Sequence, residues 1–427
     1  MRKAFTIVLM VILAVLPLMA NGNSEKAVVE QAEPTSIKVW VSSGSEDGVY
    51  KKVFDNLEAS LGITVVDEYY PKDELDQKLQ VSPIVGDTPD LIVCDYLMVP
   101  SYYEAGLIKS IEDHISDSLK EDLIPSVVTE TSYDGHTISI AQFDAGMGLW
   151  ANKQMLIDAG VRIPTSYKDA WTKEEFEDAL KKLKANGVEY PLYIRQNKAA
   201  SLYFQYMPFI ASFNGEYMNE DGTVTGAING EGTLAAFEYL SWMVKEGYIN
   251  GKCDCENGFY ERKESALALL GHWKYSDHVN FLGDDAIIIP CPDMGNGVFT
   301  CSGSTVWAMT SAVDKNNSEN LVWKVMEGAL SEENIRIVTD FNGAIPSRKT
   351  VMDGVDNLKE DGRLYLYREQ LEAGISVLRP LTPAHMTIYA EMQNAYKDVI
   401  GGADPKSVLD EAAKAIDEVI LDNGWNR

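Results

Sequence analysis

The sequence predicts an α/β protein of two lobes, and three observations carry that expectation. Strand-like and helix-like runs alternate from residue 37 to residue 94 in the rhythm of a βαβαβ unit. A comparable alternation restarts beyond residue 172. After the N-terminal leader about 390 residues remain, enough for two domains with a core each.

The leader comes first. Arg2 and Lys3 precede an apolar run that ends at Leu16 and Pro17, too short to span a membrane and flanked as a secretory signal is. Residues 1–20 read as a signal peptide cleaved after Ala20, and 21–35 as a polar, acidic tether without apolar period. Position 21 is Asn, where a lipoprotein carries its lipid-accepting Cys, so the expected location is the periplasm without an anchor.

Ile37, Val39 and Val41 then alternate with Lys38 and Trp40, and Tyr50, Val53, Phe54, Leu57 and Leu61 follow at helical spacing: a strand, then a helix. A second strand is expected at 63–66, a second helix around Leu75 and Leu79, and a third strand at 91–94, apolar throughout as a parallel strand buried on both faces should be. Ligands of open α/β sheets lie beyond the carboxyl ends of the strands, which points to residues 42–46 and to Asp95 and Tyr96. An apolar stretch through Ile138 and Ile140 leads on to Trp150 and a short helix stopped by Gly160. Thr172 and Glu175 form a capping box for a helix carrying Phe176, Leu180 and Leu183, and another helix runs from Thr233 to Gly247. Strands at 267–270, 287–289 and 306–309 alternate with helices such as 321–329. The chain ends in helix, with Asp404 as N-cap, Pro405 at the first helical position and Leu409, Ala412, Ala413, Ile416 and Ile420 on the apolar face.

The net charge of −28 makes nucleic acid and anionic membrane surfaces poor partners. Of the five cysteines, Cys94 reads as a buried thiol, Cys253 and Cys255 lack metal or redox spacing, and Cys291 and Cys301 are the favoured disulfide. No catalytic motif is present: no G-x-S-x-G, H-E-x-x-H, phosphate loop or dinucleotide fingerprint. The histidines at 114, 136, 272, 278 and 385 are scattered, so no metal, cofactor or catalytic residue is expected. Aromatic residues beside polar ones are plentiful at predicted strand ends and loops: Trp40, Tyr96, Phe143, Trp150, Phe204, Tyr206, Trp273, Tyr275, Trp307 and Tyr389. Sugars need that mixture, because an aromatic face packs on the C–H side of a pyranose while charged side chains hydrogen-bond its hydroxyls.

Pro89-Asp90-Leu91-Ile92-Val93 with Asp95, then Tyr103 and Ala105-Gly106-Leu107-Ile108, resembles the family 1 extracellular solute-binding proteins of ABC importers, the maltose- and oligosaccharide-binding group. The resemblance continues through Tyr133-Asp134-Gly135-His136, Leu149-Trp150-Ala151-Asn152-Lys153, Gly271-His272-Trp273 and Gly343-Ala344-Ile345-Pro346-Ser347-Arg348 to Gly401-Gly402. The usual proline after the hinge strand is replaced by Ala141-Gln142. The resemblance implies the type II periplasmic binding protein fold, with lobes formed by 36–145 plus 304–346 and by 146–303 plus 347–427, joined by crossover hinge strands. It implies a monomer that closes on a carbohydrate and delivers it to transmembrane permease subunits. Combined with the aromatic survey and the strand-end rule, it nominates Trp40, Glu46, Asp95, Tyr96, Asp144, Trp273, Lys274, Arg348 and Tyr389 as ligand-binding residues, with His272 beside them. A polyamine receptor of the same fold, which the acidic Glu46, Asp95 and Asp144 would suit, and an exported glycoside hydrolase remain as alternatives.

Overall fold

The computed structural model describes residues 34–44, 46–195, 201–251 and 257–426. Residues 1–20, expected to be a signal peptide, nearly all of the expected tether, Cys253 and Cys255 lie outside the described residues.

The chain opens with β1 (Ser36–Ser42), α1 (Asp47–Leu61), β2 (Thr64–Tyr70), α2 (Lys72–Val85) and β3 (Leu91–Asp95). β1 pairs in parallel with both β2 and β3, as the alternation predicts. α1 forms because Val49, Tyr50, Val53, Phe54 and Leu57 share one face, and burying that face against the sheet holds it. It stops at Gly62, whose φ of 68° lets its N–H turn back to the Glu58 carbonyl.

The later strands are β4 (Ile140–Ala141), β5 (Phe143–Asp144), β6 (Met147–Asn152), β7 (Leu192–Tyr193), β8 (Leu267–Gly271), β9 (Ala286–Ile289), β10 (Thr300–Cys301), β11 (Thr305–Met309), β12 (Ile345–Pro346) and β13 (Ser376–Val377). They complete two sheets. The first has the order β2-β1-β3-β11-β4, and the second β9-β6-β8-β7. β11 runs antiparallel to β3, with Thr305 opposite Asp95 and Met309 opposite Leu91, so the strand predicted at 306–309 belongs to the first sheet. Three short ladders lie outside the main sheets: β5 with β12, β10 with β13, and the hairpin that pairs Ser132–Tyr133 with His136–Thr137.

The first sheet is apolar on both faces. Val39, Val41, Leu91, Val93, Trp307 and Met309 pack with α1 and with the helices Glu319–Ala329 and Glu332–Asn342. Trp40, Ile92, Cys94, Val306 and Ala308 face the other way, onto Leu75 and Leu79 of α2. Trp40 therefore belongs to the core and not to a ligand site: β1 is a central strand, and its second face is covered as fully as its first. In the second lobe the predicted capping box is formed, Thr172 Oγ1 accepting from the Glu175 N–H and the Glu175 carboxylate accepting from the Thr172 N–H. The last helix, Pro405–Asn423, is capped by Asp404 as expected. The Cys291–Cys301 disulfide is not formed. Both are buried free thiols in the second-lobe core, Cys301 donates to the Phe204 carbonyl, and burial pushes the Cys291 thiol up to about 12.

The chain passes between the sheets at 145–146 and again at 302–304. The second crossing is clamped from below by two buried carboxyl groups. Asp144 accepts from the Gly303 N–H at 3.0 Å, and the Ser304 hydroxyl donates to Glu130. Burial and the neighbouring Asp144 hold Glu130 well above the usual glutamate range; burial raises Asp144 too, opposed by its hydrogen bonds. Glu130 Oε1 and Asp144 Oδ2 would both be buried acceptors without a donor, and a proton on Glu130 supplies one.

A carboxyl whose pKa is higher folded than unfolded stabilises fully below the unfolded value of about 4.3, and that contribution is lost as pH rises towards the folded value. Glu130→Gln mimics the protonated form at every pH. Its melting temperature, measured by calorimetry from pH 4.5 to 8, is expected to match the wild type at the acidic end and to exceed it increasingly towards pH 8. A difference independent of pH would mean that Glu130 is not held protonated.

Candidate functional site

The carboxyl ends of the strands and the two crossings converge on a cleft of about 560 Å³. β1 delivers Ser43, Gly44 and Glu46, β3 delivers Asp95, and Lys72 enters at the first turn of α2 just after β2. The crossings contribute Phe143, Ala145 and residues 303–305. From the second lobe come Arg195 after β7, Phe204 and Gln205 from the helix Leu202–Gln205, and His272, Trp273 and Lys274 after β8; Arg379 follows β13, and Tyr389 stands on the helix His385–Ile400.

Trp273 is half-buried, and its ring lies 5.9 Å from that of Phe204 at an angle of 41°. It can fold back over β8 only because position 271 is glycine. A Cβ there would stand 2.2 Å from the indole. His272, at its side, is buried against Phe143, with Nδ1 3.3 Å from the Asn342 carbonyl, and burial lowers it to about 3, so it is neutral.

Asp95 is the electrostatic centre. Lys72 Nζ lies 3.4 Å from one carboxylate oxygen and Arg379 Nη2 3.5 Å from the other, and the Leu97 N–H adds a hydrogen bond. Burial alone would raise this carboxyl; Arg379 and Lys72 outweigh it and hold Asp95 well below the usual carboxylate range. The Arg379 guanidinium is bracketed by the rings of Phe204, Tyr96 and Tyr203 at 4.6, 5.3 and 5.9 Å, a cation–π arrangement, and Lys72 Nζ sits 4.4 Å over Tyr389.

Of the residues nominated from sequence, Glu46, Asp95, Trp273, Lys274 and Tyr389 line the cleft, together with His272. Lys274 pairs with Asp277 at 2.9 Å. Four do not line it. Trp40 is core. Tyr96 lies buried behind the wall, its hydroxyl accepting from the Arg379 backbone N–H at 3.2 Å. Asp144 is buried under the crossing. Arg348 lies elsewhere, bound to Asp122 at 2.7 Å and to the Leu330 carbonyl at 2.9 Å. Lys72, Arg195, Gln205 and Arg379 were not singled out from sequence: Lys72, Arg195 and Arg379 each follow a strand within two residues, but the strand before Lys72 was expected to end at 66 and the two-residue strands before Arg195 and Arg379 carry no sequence signal of their own.

The cleft joins aromatic faces to fixed hydrogen-bonding charges, a surface for holding a polar solute. Among the described residues no group of three or more His, Cys, Asp or Glu side chains could hold a metal ion.

Known proteins share this architecture. The GacH receptor of Streptomyces glaucescens GLA.O, solved unliganded and in complex with acarbose and an acarbose homolog, superposes with a TM-score of 0.77 at 17% identity, over 92% of this chain and 100% of that one. The cyclic alpha-maltosyl-1,6-maltose binding protein of Arthrobacter globiformis gives 0.72 at 18% identity, over 91% and 100%. In sequence, a "Putative binding protein" of Brucella abortus (strain 2308) is 23% identical over 419 residues, 93% of this chain and 97% of its own length. The "Maltotriose-binding protein" of Pyrococcus abyssi is 20% identical over 415 residues, 94% of this chain and 83% of its own. Residues 52–364 match the family described as "Bacterial extracellular solute-binding protein". With most of the chain inside that match and the two-lobed α/β fold around the cleft, this protein belongs to the bacterial extracellular solute-binding proteins, a family that binds solutes without transforming them.

Proposed function

We propose that this chain is an exported, periplasmic receptor that closes its cleft on a carbohydrate and hands it to the transmembrane permease of an ABC importer. The observation that carries this reading is Trp273, a half-buried indole at the mouth of β8 with Phe204 beside it and with Asp95, Lys72 and Arg379 also lining the cleft. An aromatic platform facing fixed charges is what a pyranose ring requires. The saccharide names carried by the P. abyssi relative and by the A. globiformis structure support it. A polyamine would meet Lys72 and Arg379, two cations that already share Asp95, in the same cleft, so the cationic reading is the weaker one. Hydrolysis of a glycoside needs an accessible carboxyl acid with a raised pKa. The carboxyl pair held high here, Glu130 and Asp144, lies beneath the crossing and does not line the cleft.

A ligand that binds only the folded state stabilises it by about 2.7 kcal/mol at a hundredfold excess over its dissociation constant. In a thermal-shift screen of saccharides, amino acids and polyamines, saccharides are expected to raise the melting temperature. A shift confined to spermidine-like cations would contradict the carbohydrate reading.

Trp273→Ala is expected to weaken saccharide binding by about 2 kcal/mol, roughly thirtyfold, with little change in urea unfolding of the free protein. Gly271→Ala should do the same by pushing the indole aside, because the φ of −103° at this position suits alanine and the three nearest atoms that a Cβ would meet all belong to the ring. Normal binding with a loss of about 3 to 5 kcal/mol of stability would instead place Trp273 in the core.

A further inference from the structure

Within a chain of net charge −28, one wall of the cleft sets two cationic side chains, Lys72 and Arg379, against a single carboxylate, Asp95, while Lys274 on the opposite side is paired with Asp277. At physiological ionic strength charges are screened over about 8 Å, so the distant acidic surface does not cancel this local surplus. The concave walls concentrate it.

These two cations share one counter-charge. Lys72 and Arg379 both lean on Asp95, at 3.4 and 3.5 Å, where a full charge-assisted bond would be about 2.7–2.9 Å. Arg379 is only 7% exposed, and its Nε has no hydrogen-bond partner among the described residues. A guanidinium so far removed from water and half-neutralised raises the affinity of the cleft for a second anion. The starts of α1 and α2, with Glu46 at the N-cap of the first and Lys72 in the first turn of the second, add the positive ends of two helix dipoles at the same rim. A neutral sugar would use these cations as donors and leave the surplus uncompensated.

We propose that the solute is an acidic saccharide, with its anionic group received between Lys72 and Arg379 while a ring face rests on Trp273. This rests on the receptor reading above and adds the charge of the ligand to it.

The full mature protein is titrated by calorimetry with matched pairs: galactose and galacturonate, glucose and glucuronate, maltotriose and trigalacturonate, with glucose 6-phosphate to distinguish a carboxylate from a phosphate as the anionic group. Acidic members are expected to bind at least tenfold more tightly than their neutral partners, with an affinity that falls as sodium chloride rises from 50 to 500 mM. Lys72→Met, at a side chain that is 20% exposed and so removable without opening the core, should abolish that preference and leave the melting temperature of the free protein in place. Neutral sugars bound as tightly as acidic ones, or a preference that survives Lys72→Met, would overturn the inference and leave the carbohydrate receptor standing. Binding of another solute class with no response to any saccharide, acidic or neutral, would overturn both.

Discussion

The structure depends on how the chain crosses between its two sheets. β5 leads to β6 through two residues, and β10 leads to β11 through three, so the carboxyl ends of strands from both lobes are brought to one cleft. A crossing this short must run through the interior, and its backbone polar groups need partners there. Asp144 supplies one to Gly303 and Glu130 accepts from Ser304. Gly303 also has to be glycine, since a Cβ would come within 2.9 Å of the Tyr96 ring and 3.4 Å of both Arg379 and Phe204. The tightness of the crossing and the placement of the cationic wall are thus one packing problem.

The same constraint explains which aromatic residues pack and which are displayed. Trp40, Trp150 and Trp307 lie within sheet strands whose faces are covered by helices, and each is buried. Trp273 stands just past the end of β8, beyond the last ladder pair of Gly271 with Met147, where the sheet no longer offers a covering layer. Among these four tryptophans, position relative to the strand end separates core from platform. Tyr96 and Asp144 are buried behind the cleft wall. They touch the groups that would meet a ligand and hold them in place: Tyr96 through the Arg379 backbone and ring, Asp144 through Gly303.

Much of this was legible in the sequence because it is local. The βαβαβ unit, the capping box at Thr172 and Glu175 and the Asp404 cap each depend on residues within a few positions of one another, and the strand-end rule carried Glu46 and Asp95 to the cleft. What escaped is long-range. Trp40 alternates as a strand residue does, and alternation does not say whether a helix covers the second face. Arg348 follows the expected lobe boundary at 346–347 in sequence, but its partner is Asp122, 226 positions away. Arg379 owes its environment to Tyr96, Tyr203 and Phe204 from two distant segments, and no local pattern around residue 379 announces a buried cation. Cys291 and Cys301 are close in sequence, yet each is satisfied by its own packing.

The central claim is that solute is captured in this one cleft by groups from both lobes. Hydrogen–deuterium exchange with and without a saturating saccharide tests it most directly, because amides around the ligand must be shielded together. Protection is expected simultaneously at residues 43–47, 95–97, 271–275 and 303–305, with little change in the groove around Asp284, Ala286 and Arg363 on the second lobe. Protection restricted to one lobe, or centred on that groove, would contradict the account.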